Sequence, residues 1–338
     1  MGRPFRILSI DGGGIRGIIP ALVLAEIERR TESRVAALFD LVAGTSTGGV
    51  IALAVTKPDD NGRPQYKAAE IAELYSTKGG TIFSTTILHQ LSSAWGLLGA
   101  KYPSAGLEKV LDQYFGETRL KHALTDVLVP AFAIDLRSPW FFRSRRARTE
   151  PERDFAMKKV ARATSAAPTY LEPLKLDGVG KHLGTSWGLV DGGVYANNPA
   201  MCALVEAQAV YGAEDVLVVS LGTGEPTRGI PWKEAKDWGL AAWARPLLDV
   251  VFEGVSDTVH FQVEQLCPPV DGQLRYYRFQ VPLPELRSQF DEIDDARSAT
   301  ISKLQAVAEQ LIRESDTKLE KLCAALVATS STNGDANT

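Results

Sequence analysis

The sequence feature that most constrains the fold is the stretch 39–49, in which a short apolar run leads into Gly44-Thr45-Ser46-Thr47-Gly48. Residues 41–43 predict a buried strand, and the apolar residues 50–55 predict a helix. Gly-x-Ser-x-Gly between a strand and a helix is typical of a nucleophile elbow, a turn so sharp that the neighbours of the serine need almost no side chain. The same residues also suit a glycine-rich turn whose serine caps a helix, and the rest of the chain must decide between the two.

The composition is that of an ordinary globular protein and argues against several classes. The chain has 338 residues, of which 45% are hydrophobic and 23% charged, and its net charge of −4 argues against a surface that binds a nucleic-acid polymer. Its three cysteines are widely spaced, which argues against a disulfide framework or a zinc site and favours a reducing compartment. Because there is no leader-like segment and no apolar run of about 18 residues, we expect a cytoplasmic protein that would meet a membrane only from its surface.

Predicted strands and helices alternate from one end of the chain to the other. The strands are predicted at residues 5–10, 41–43, 127–134, 187–190, 216–221 and 276–281. The helices are predicted at residues 18–30, 68–75, 107–115, 155–164, 199–211, 247–266 and, for the most part, 294–326. Pro130 interrupts the third strand, which predicts a sheet edge or a bulge at that point.

This alternation predicts a single α/β domain over residues 1–328, with a central, mostly parallel sheet and helices on both faces. The core motifs fall within residues 7–200, and a further strand and helices over residues 214–328 complete the domain. Residues 329–338 are polar and are predicted to form a disordered tail. The first two strands and the helix between them form a βαβ unit, so the loops that follow these strands meet at one edge of the sheet.

A second glycine-rich loop, Asp11-Gly12-Gly13-Gly14-Ile15-Arg16-Gly17, follows the first predicted strand. A dinucleotide site would need an acidic residue at the end of the second strand, but that strand ends in the serine motif, and no Gly-Lys-Ser/Thr is present for a P-loop. Successive glycine amides at a helix N-terminus bind anions. The amides of Gly13 and Gly14 can therefore point at an oxyanion formed next to Ser46, where such donors are worth roughly 3–4 kcal/mol each.

A reactive serine needs a base, and the sequence offers histidines and one well-placed aspartate. None of His89, His122, His182 and His260 follows a predicted strand end. Asp191 does, and Gly192 and Gly193 come directly after it. Asp191 is either a turn aspartate or a base that takes the Ser46 proton. An ordinary aspartate has a pKa of about 4, so burial would have to raise the pKa of Asp191 for it to act as the base. A triad of Ser46, Asp191 and His260, in the chain order of α/β-hydrolases, stays open.

The glycine loop, the serine motif and Asp191-Gly192-Gly193, in this order, resemble the patatin-like phospholipase family. The likeness covers about residues 5–315 and is greatest to the plant patatins and their bacterial relatives. Four further stretches of the chain share it: residues 116–119, 163–170, 220–224 and 293–296.

This resemblance implies a three-layer patatin-like domain and a serine lipid acyl hydrolase of the phospholipase A type, acting on membrane phospholipids or other acyl lipids without a metal or cofactor. It implies Ser46 as the nucleophile and Asp191 as the base of a two-residue dyad. It also implies an oxyanion loop made of Gly12, Gly13 and Gly14. The other motif residues that match are Arg16, Gly17, Gly44, Thr45, Thr47, Gly48, Gly192 and Gly193.

Two other functions and the assembly state stay open. Some bacterial relatives are antiviral effectors that a cyclic nucleotide activates to degrade the membrane of their own cell, so a cyclic nucleotide activator is one alternative. A storage or binding protein with a vestigial site is another. The sequence does not decide whether the chain forms a homo-oligomer.

Three surface features have both a lipid-related and a structural interpretation. The apolar residues within 79–98 would line an acyl groove or simply pack in the core. Trp232, Trp238 and Trp243 would sit at a lipid interface or pack against the domain. The basic cluster would attract anionic head groups or a phosphorylated regulator, or would be solvated surface; it comprises Arg143, Arg145, Arg146 and Arg148.

Overall fold

The structure is a computed structural model that describes residues 3–82, 103–227, 229–243, 246–283 and 295–328. Its strands are β1 (Phe5–Ile10), β2 (Leu41–Gly44), β3 (Asp126–Ala133), β4 (Ser138–Arg143), β5 (Leu174–Asp177), β6 (Ser186–Asp191), β7 (Val216–Leu221), β8 (Glu225–Pro226), β9 (Tyr276–Phe279) and β10 (Pro282–Leu283). Its helices are α1 (Ile18–Thr31), α2 (Val35–Leu38), α3 (Thr47–Thr56), α4 (Ala68–Ile82), α5 (Ala105–Phe115), α6 (Ser144–Thr149), α7 (Met157–Thr164), α8 (Gly193–Ala196), α9 (Ala200–Tyr211), α10 (Trp232–Ala235), α11 (Leu240–Trp243), α12 (Pro246–Leu266), α13 (Ser298–Glu314) and α14 (Asp316–Val327).

A mixed sheet of eight strands runs through the centre of the domain in the order β5-β6-β3-β2-β1-β7-β9, with β4 beside β3. The strands from β3 through β9 in this order pair in parallel, whereas β4, β5 and β6 are joined by antiparallel pairing. The predicted single α/β domain with a mostly parallel sheet is confirmed. Every predicted strand and helix is present, and their ends differ by a few residues, most of all for α4, which continues to Ile82.

Apolar side chains on both faces of the sheet create two cores. Successive residues of a strand point to opposite faces, so Leu8 and Val42 enter one core while Ile7 and Leu41 enter the other. The larger core packs the sheet against α1, α3, α4, α5, α7, α13 and α14. The smaller core packs it against α9 and α12. Helices therefore cover both faces, and the carboxyl ends of the parallel strands are left at one edge for a site.

The strand β3 has two different neighbours along one of its sides, and this arrangement organises the site. Strand β2 pairs with β3 up to Ala43 and Leu128, and β6 begins its pairing at Asp191 and Ala131. Strand β4 pairs with both parts of β3, so it occupies the opposite side. Strands β2 and β6 therefore approach each other along the same side of β3, and their carboxyl ends meet at Pro130.

From the sequence, Pro130 is predicted to mark either a sheet edge or a bulge. The prediction of an edge is wrong, because β3 is an interior strand. Pro130 lies in the gap between the ends of β2 and β6, and its carbonyl accepts a hydrogen bond from Thr164 Oγ1 over 2.7 Å. Since the N–H and the carbonyl of one strand residue point to the same side, the N–H that proline lacks would have faced this gap. The proline therefore removes no ladder hydrogen bond.

Several sequence-based expectations fall outside the described residues. These are the disordered tail at 329–338, most of the apolar segment 79–98, and the first two residues of the stretch 293–296. Within the described ranges, no helix combines the length and the apolar character that crossing a membrane requires.

Candidate active site

Ser46 lies at the turn between β2 and α3. Its backbone angles, φ 54° and ψ −125°, are ones that residues other than glycine rarely adopt. Such strain persists only where the surroundings enforce it. The Ser46 N–H donates to Thr164 Oγ1 over 2.9 Å, and the Thr45 hydroxyl donates to the Ala196 carbonyl over 2.6 Å. The turn is therefore held from two sides, and the sharp strand–turn–helix geometry predicted from the sequence is present.

The glycines of the serine motif are required by close backbone packing. A Cβ atom on Gly44 would lie 2.1 Å from the Gly48 carbonyl oxygen, and one on Gly48 would lie 2.2 Å from the Ile10 carbonyl oxygen. Both distances are far below van der Waals contact, so any other residue would force the start of α3 away from the ends of β2 and β1. Thr47 is buried behind the turn, where its hydroxyl and the Tyr75 hydroxyl hydrogen-bond each other and cover Gly17.

The glycine loop lies beside Ser46, as the βαβ unit predicts. The Gly12 N–H donates to the Asn197 carbonyl over 3.0 Å, and the Gly12 carbonyl accepts a hydrogen bond from Thr223 Oγ1 over 2.8 Å. Gly12 is thus committed to holding the loop, whereas Gly13 and Gly14 line the same cavity as Ser46. Of the three glycines predicted for an oxyanion loop, Gly13 and Gly14 are the ones that line this cavity.

The loop begins at Asp11, which is anchored in the sheet. Its carboxylate forms a buried ion pair with Arg278 over 2.7 Å, and its N–H donates to the Leu221 carbonyl over 2.9 Å. The end of β1 is thereby tied to β7 and β9. Arg16 is not among the residues that line the cavity of Ser46. It lines a second, polar cavity of about 130 Å³ behind the loop, which Asp11 and Glu253 also line.

Asp191 is the last residue of β6 and is 1% exposed. Burial raises the pKa of its carboxyl to about 7, although the Ser46 hydroxyl and the Gly193 N–H, 2.8 Å from Oδ1, both favour the charged form. Asp191 Oδ2 is buried and accepts no hydrogen bond from the part of the chain that the structure describes. The Ser46 hydroxyl is therefore near this carboxylate without a hydrogen bond of good geometry, and contacts of this kind tighten when a substrate binds.

The turn after Asp191 continues the close packing. Gly192 lies against the Pro130 carbonyl, where a Cβ atom would be 2.5 Å from the oxygen, and Gly193 faces Phe252 of α12. Helix α8 then leads to Asn197 and Asn198, and the Asn198 side chain accepts a hydrogen bond from Ser9 Oγ over 3.3 Å. The segment after β6 therefore contacts both the serine turn and the glycine loop.

Ser46, Asp191, Gly13 and Gly14 line one cavity of about 520 Å³. Most of its wall is apolar, and α4 and α5 are large contributors to it through residues such as Ile71, Leu107 and Leu111. Volume and lining are typical of a site that binds a small or elongated apolar ligand with a few polar groups at one end. Besides Ser46, Asp191 and the two glycines, polar side chains of α4 also line this cavity, Glu70 and Glu73 among them.

The structure does not bring the histidine of the alternative triad to this cavity. His260 Nδ1 is 3.1 Å from the Tyr276 hydroxyl, and its ring packs on the Tyr276 ring. Neither residue is among those that line the cavity. The prediction of a Ser46–Asp191–His260 arrangement is therefore wrong, because α12 presents His260 to strand β9.

The basic cluster is engaged within the chain. Arg143 pairs with Glu206, Arg146 with Glu150, and Arg148 with Asp126. Arg145 lies over the Tyr211 ring. These contacts use the guanidinium groups that an anionic head group or a phosphorylated regulator would need. The structural interpretation of this cluster is the one that the geometry favours.

Two of the tryptophans pack against each other, with the rings of Trp238 and Trp243 5.2 Å apart and nearly perpendicular. Trp232 on α10 is 74% exposed. The three side chains therefore do not form one uniform surface, and only Trp232 projects freely enough to enter a lipid interface.

Three contributors to the site escaped the sequence reasoning: Thr164, Asn197 and Tyr75. Thr164 was recognised only as part of the stretch 163–170, and Asn197 lies just beyond the Asp191 motif. Each acts across the fold, on a partner between 28 and 185 residues away in sequence.

Comparisons with known proteins identify one family. A family model described as patatin-like phospholipase matches residues 8–204. Patatin-like protein 4 of Arabidopsis thaliana is 32% identical over 335 residues, which cover 90% of this chain and 82% of that protein. Patatin-like protein 2 of the same plant is 35% identical over 307 residues, which cover 81% of this chain and 75% of that protein. The Solanum tuberosum protein named probable inactive patatin-3-Kuras 1 is 31% identical over 345 residues, which cover 93% of this chain and 88% of that protein. The chain therefore belongs to the patatin-like phospholipase family, a family of lipid acyl hydrolases.

Proposed function

We propose that the protein is a serine lipid acyl hydrolase of the phospholipase A type, which cleaves fatty acyl esters of membrane lipids with Ser46 and Asp191. The observation that carries this proposal is that Ser46, Asp191, Gly13 and Gly14 line one largely apolar cavity. A nucleophile, a base and amide donors that line one largely apolar cavity are the groups that acyl transfer from a lipid needs.

In the first step, Ser46 Oγ attacks the ester carbonyl carbon while its proton passes to Asp191. The raised pKa of Asp191, about 7, makes it a far better base at neutral pH than an ordinary aspartate. The negative charge that develops on the carbonyl oxygen is stabilised by the amides of Gly13 and Gly14 at the start of the 3₁₀ turn Gly14–Gly17. Protonated Asp191 then gives its proton to the departing alcohol, and an acyl-serine remains.

In the second step, water attacks the acyl-serine carbonyl carbon and gives a proton to Asp191. The tetrahedral intermediate collapses, Ser46 Oγ regains the proton from Asp191, and the fatty acid leaves. One carboxyl thus serves as base and acid in turn, which requires a pKa near the working pH. The strained Ser46 backbone keeps Oγ at the cavity through both steps.

The apolar walls from α4 and α5 are proposed to hold the acyl chain, and access to it is proposed to come from contact with a membrane surface. Helix α12 contributes Phe252 to the cavity wall, and the short helices before it carry Trp232 and Leu240, which are 74% and 94% exposed. Exposed apolar side chains of this kind suit insertion into the interfacial region of a bilayer.

The experiment compares the wild type with Ser46→Ala and Asp191→Asn on vesicles of mixed phospholipids, with fatty acid and lysolipid release measured by mass spectrometry. We expect both variants to lose at least about 10³-fold in kcat, because nucleophile and base act as a unit. A fluorophosphonate probe should label the wild type but not Ser46→Ala. The variant Ser104→Ala is the matched control, since Ser104 lies on the outer surface and its hydroxyl donates to Glu172.

Two outcomes would contradict the proposal. Retained hydrolysis by Ser46→Ala would exclude Ser46 as the nucleophile. A wild type that neither reacts with the probe nor releases fatty acid would favour a storage or binding protein, a role compatible with the word inactive in the name of one relative.

The same assay with and without cyclic dinucleotides tests regulated antiviral activity, for which stimulation by the nucleotide is the required result.

A further inference from the structure

Asn197 lies where the glycine loop, the Asp191 turn and helix α12 meet, and the proposed mechanism gives it no role. Its backbone carbonyl accepts the Gly12 N–H over 3.0 Å. Its side chain is 8% exposed, and it lines both the apolar cavity of Ser46 and the polar cavity behind the glycine loop. Asn197 is therefore part of the wall that separates the two cavities next to the reacting atoms.

The carboxamide of Asn197 is oriented by Ser256, a residue of α12 that is 7% exposed. Asn197 Nδ2 donates to Ser256 Oγ over 3.1 Å, which turns Oδ1 toward the two glycine turns. A Cβ atom on Gly12 would lie 2.3 Å from Oδ1, and one on Gly193 would lie 3.2 Å from it. The amide oxygen therefore packs between the loop that carries the oxyanion donors and the turn that carries the base.

We propose that Asn197, held by Ser256, is a positioning residue that sets the separation between the Gly13–Gly14 amides and the Ser46–Asp191 pair. The inference rests on the proposed function and deepens it. Donors and nucleophile must meet the same carbonyl group, and a misplacement of about 1 Å costs about 10²-fold in rate. The backbone of Asn197 fixes Gly12, and its side chain keeps the Asp191 turn at a set distance from that glycine.

The chemistry of the site favours a neutral amide at this position. A carboxylate of the same shape would put a negative charge beside the developing oxyanion and beside Asp191, and both effects oppose the reaction. The raised pKa of Asp191 comes from burial and owes nothing to the charged groups that face Asn197 across the polar cavity. Those groups are Asp11, Arg16, Glu225, Asp249, Glu253 and Asp257.

The test measures kcat, KM and the pH profile on a soluble short-chain nitrophenyl ester for Asn197→Ala, Asn197→Asp, Ser256→Ala and the double variant Asn197→Ala/Ser256→Ala. We expect kcat to fall about 10²-fold in Asn197→Ala and about tenfold in Ser256→Ala, with KM little changed. The double variant should be no slower than Asn197→Ala, because both changes remove the same interaction. In Asn197→Asp, kcat should fall further, and the acid limb of the profile should move above pH 7.

The matched control is Thr258→Ala on the exposed side of α12, whose hydroxyl donates only to its own helix at Gly254. Wild-type kcat in Ser256→Ala, or multiplicative losses in the double variant, would overturn the inference. Equal kcat and pH profile in Asn197→Ala and Asn197→Asp would also overturn it, because a merely structural role does not distinguish a charge. Ser46→Ala is run in parallel: if it is inactive while the Asn197 variants keep full kcat, the positioning role fails and the proposed function stands.

Discussion

Replacing Asp191 by asparagine should stabilise the fold increasingly as the pH rises. The Asp191 carboxyl is buried, and its pKa rises from an ordinary 3.8 to about 7 in the folded chain. Between these two values the folded state keeps a proton that the unfolded chain releases, so the wild type loses stability as the pH rises through this window and levels off above it. Asparagine does not titrate and keeps an oxygen for the Gly193 N–H, so the variant lacks this loss.

The size of the effect follows from the two pKa values. Each pKa unit corresponds to about 1.36 kcal/mol, so the full difference is about 4 kcal/mol for a group that is almost completely buried. We compare the free energy of unfolding of Asp191→Asn with that of the wild type. The variant's excess over the wild type should grow by about 3 kcal/mol as the pH rises from 5 to 8. The buried amide nitrogen, which would lack a partner, adds a constant cost that does not depend on pH.

The assay is urea unfolding of both proteins at several pH values, with the slope of the unfolding free energy against urea checked for equality. Asp237→Asn is the control, because the Asp237 side chain is 82% exposed and its one ion pair, with Lys236, lies on the surface. The variant therefore makes the same change in net charge as Asp191→Asn at the loss of one weak contact. A difference between Asp191→Asn and the wild type that stays flat from pH 5 to pH 8, or shrinks, would refute the argument that burial makes Asp191 a base.

Activity and specificity give further expectations. kcat/KM of the wild type should rise about tenfold per pH unit and level off near pH 7, where Asp191 becomes unprotonated; a plateau that extends to pH 5 would contradict this. His260→Ala should keep kcat within about threefold, because His260 packs on Tyr276 away from the cavity. Thr164→Val should lower the unfolding free energy by about 1–3 kcal/mol in urea titrations, since the Ser46 N–H and the Pro130 carbonyl both lose their partner. Leu111→Trp should shift the chain-length preference toward shorter acyl esters in a competition assay, because the added ring fills the cavity that Leu111 lines.

Local sequence was enough to predict the elements and the serine turn. The alternation of apolar runs predicted the strands and helices, and the glycines around Ser46 predicted a turn that only residues without side chains can form. The order of strands β1 and β2 also placed the glycine loop beside Ser46, because a βαβ unit brings the two loops to one edge. The roles proposed for these residues stay predictions until the variants are measured.

The sequence named Asp191 as a candidate base, and the family resemblance implied its pairing with Ser46, but only the tertiary structure shows how the fold brings the two residues together. Strand β6 runs antiparallel to β3 and docks on the part of its side that β2 leaves free, so two strand ends meet at Pro130. Pairings between segments so distant in the chain depend on the whole sheet, and no local pattern encodes them. The same holds for Thr164 and Asn197, which act on residues more than 100 positions away. The sequence by itself determined a strained serine turn and a glycine loop, and the tertiary structure decided which carboxylate is buried beside them and therefore has a pKa near 7.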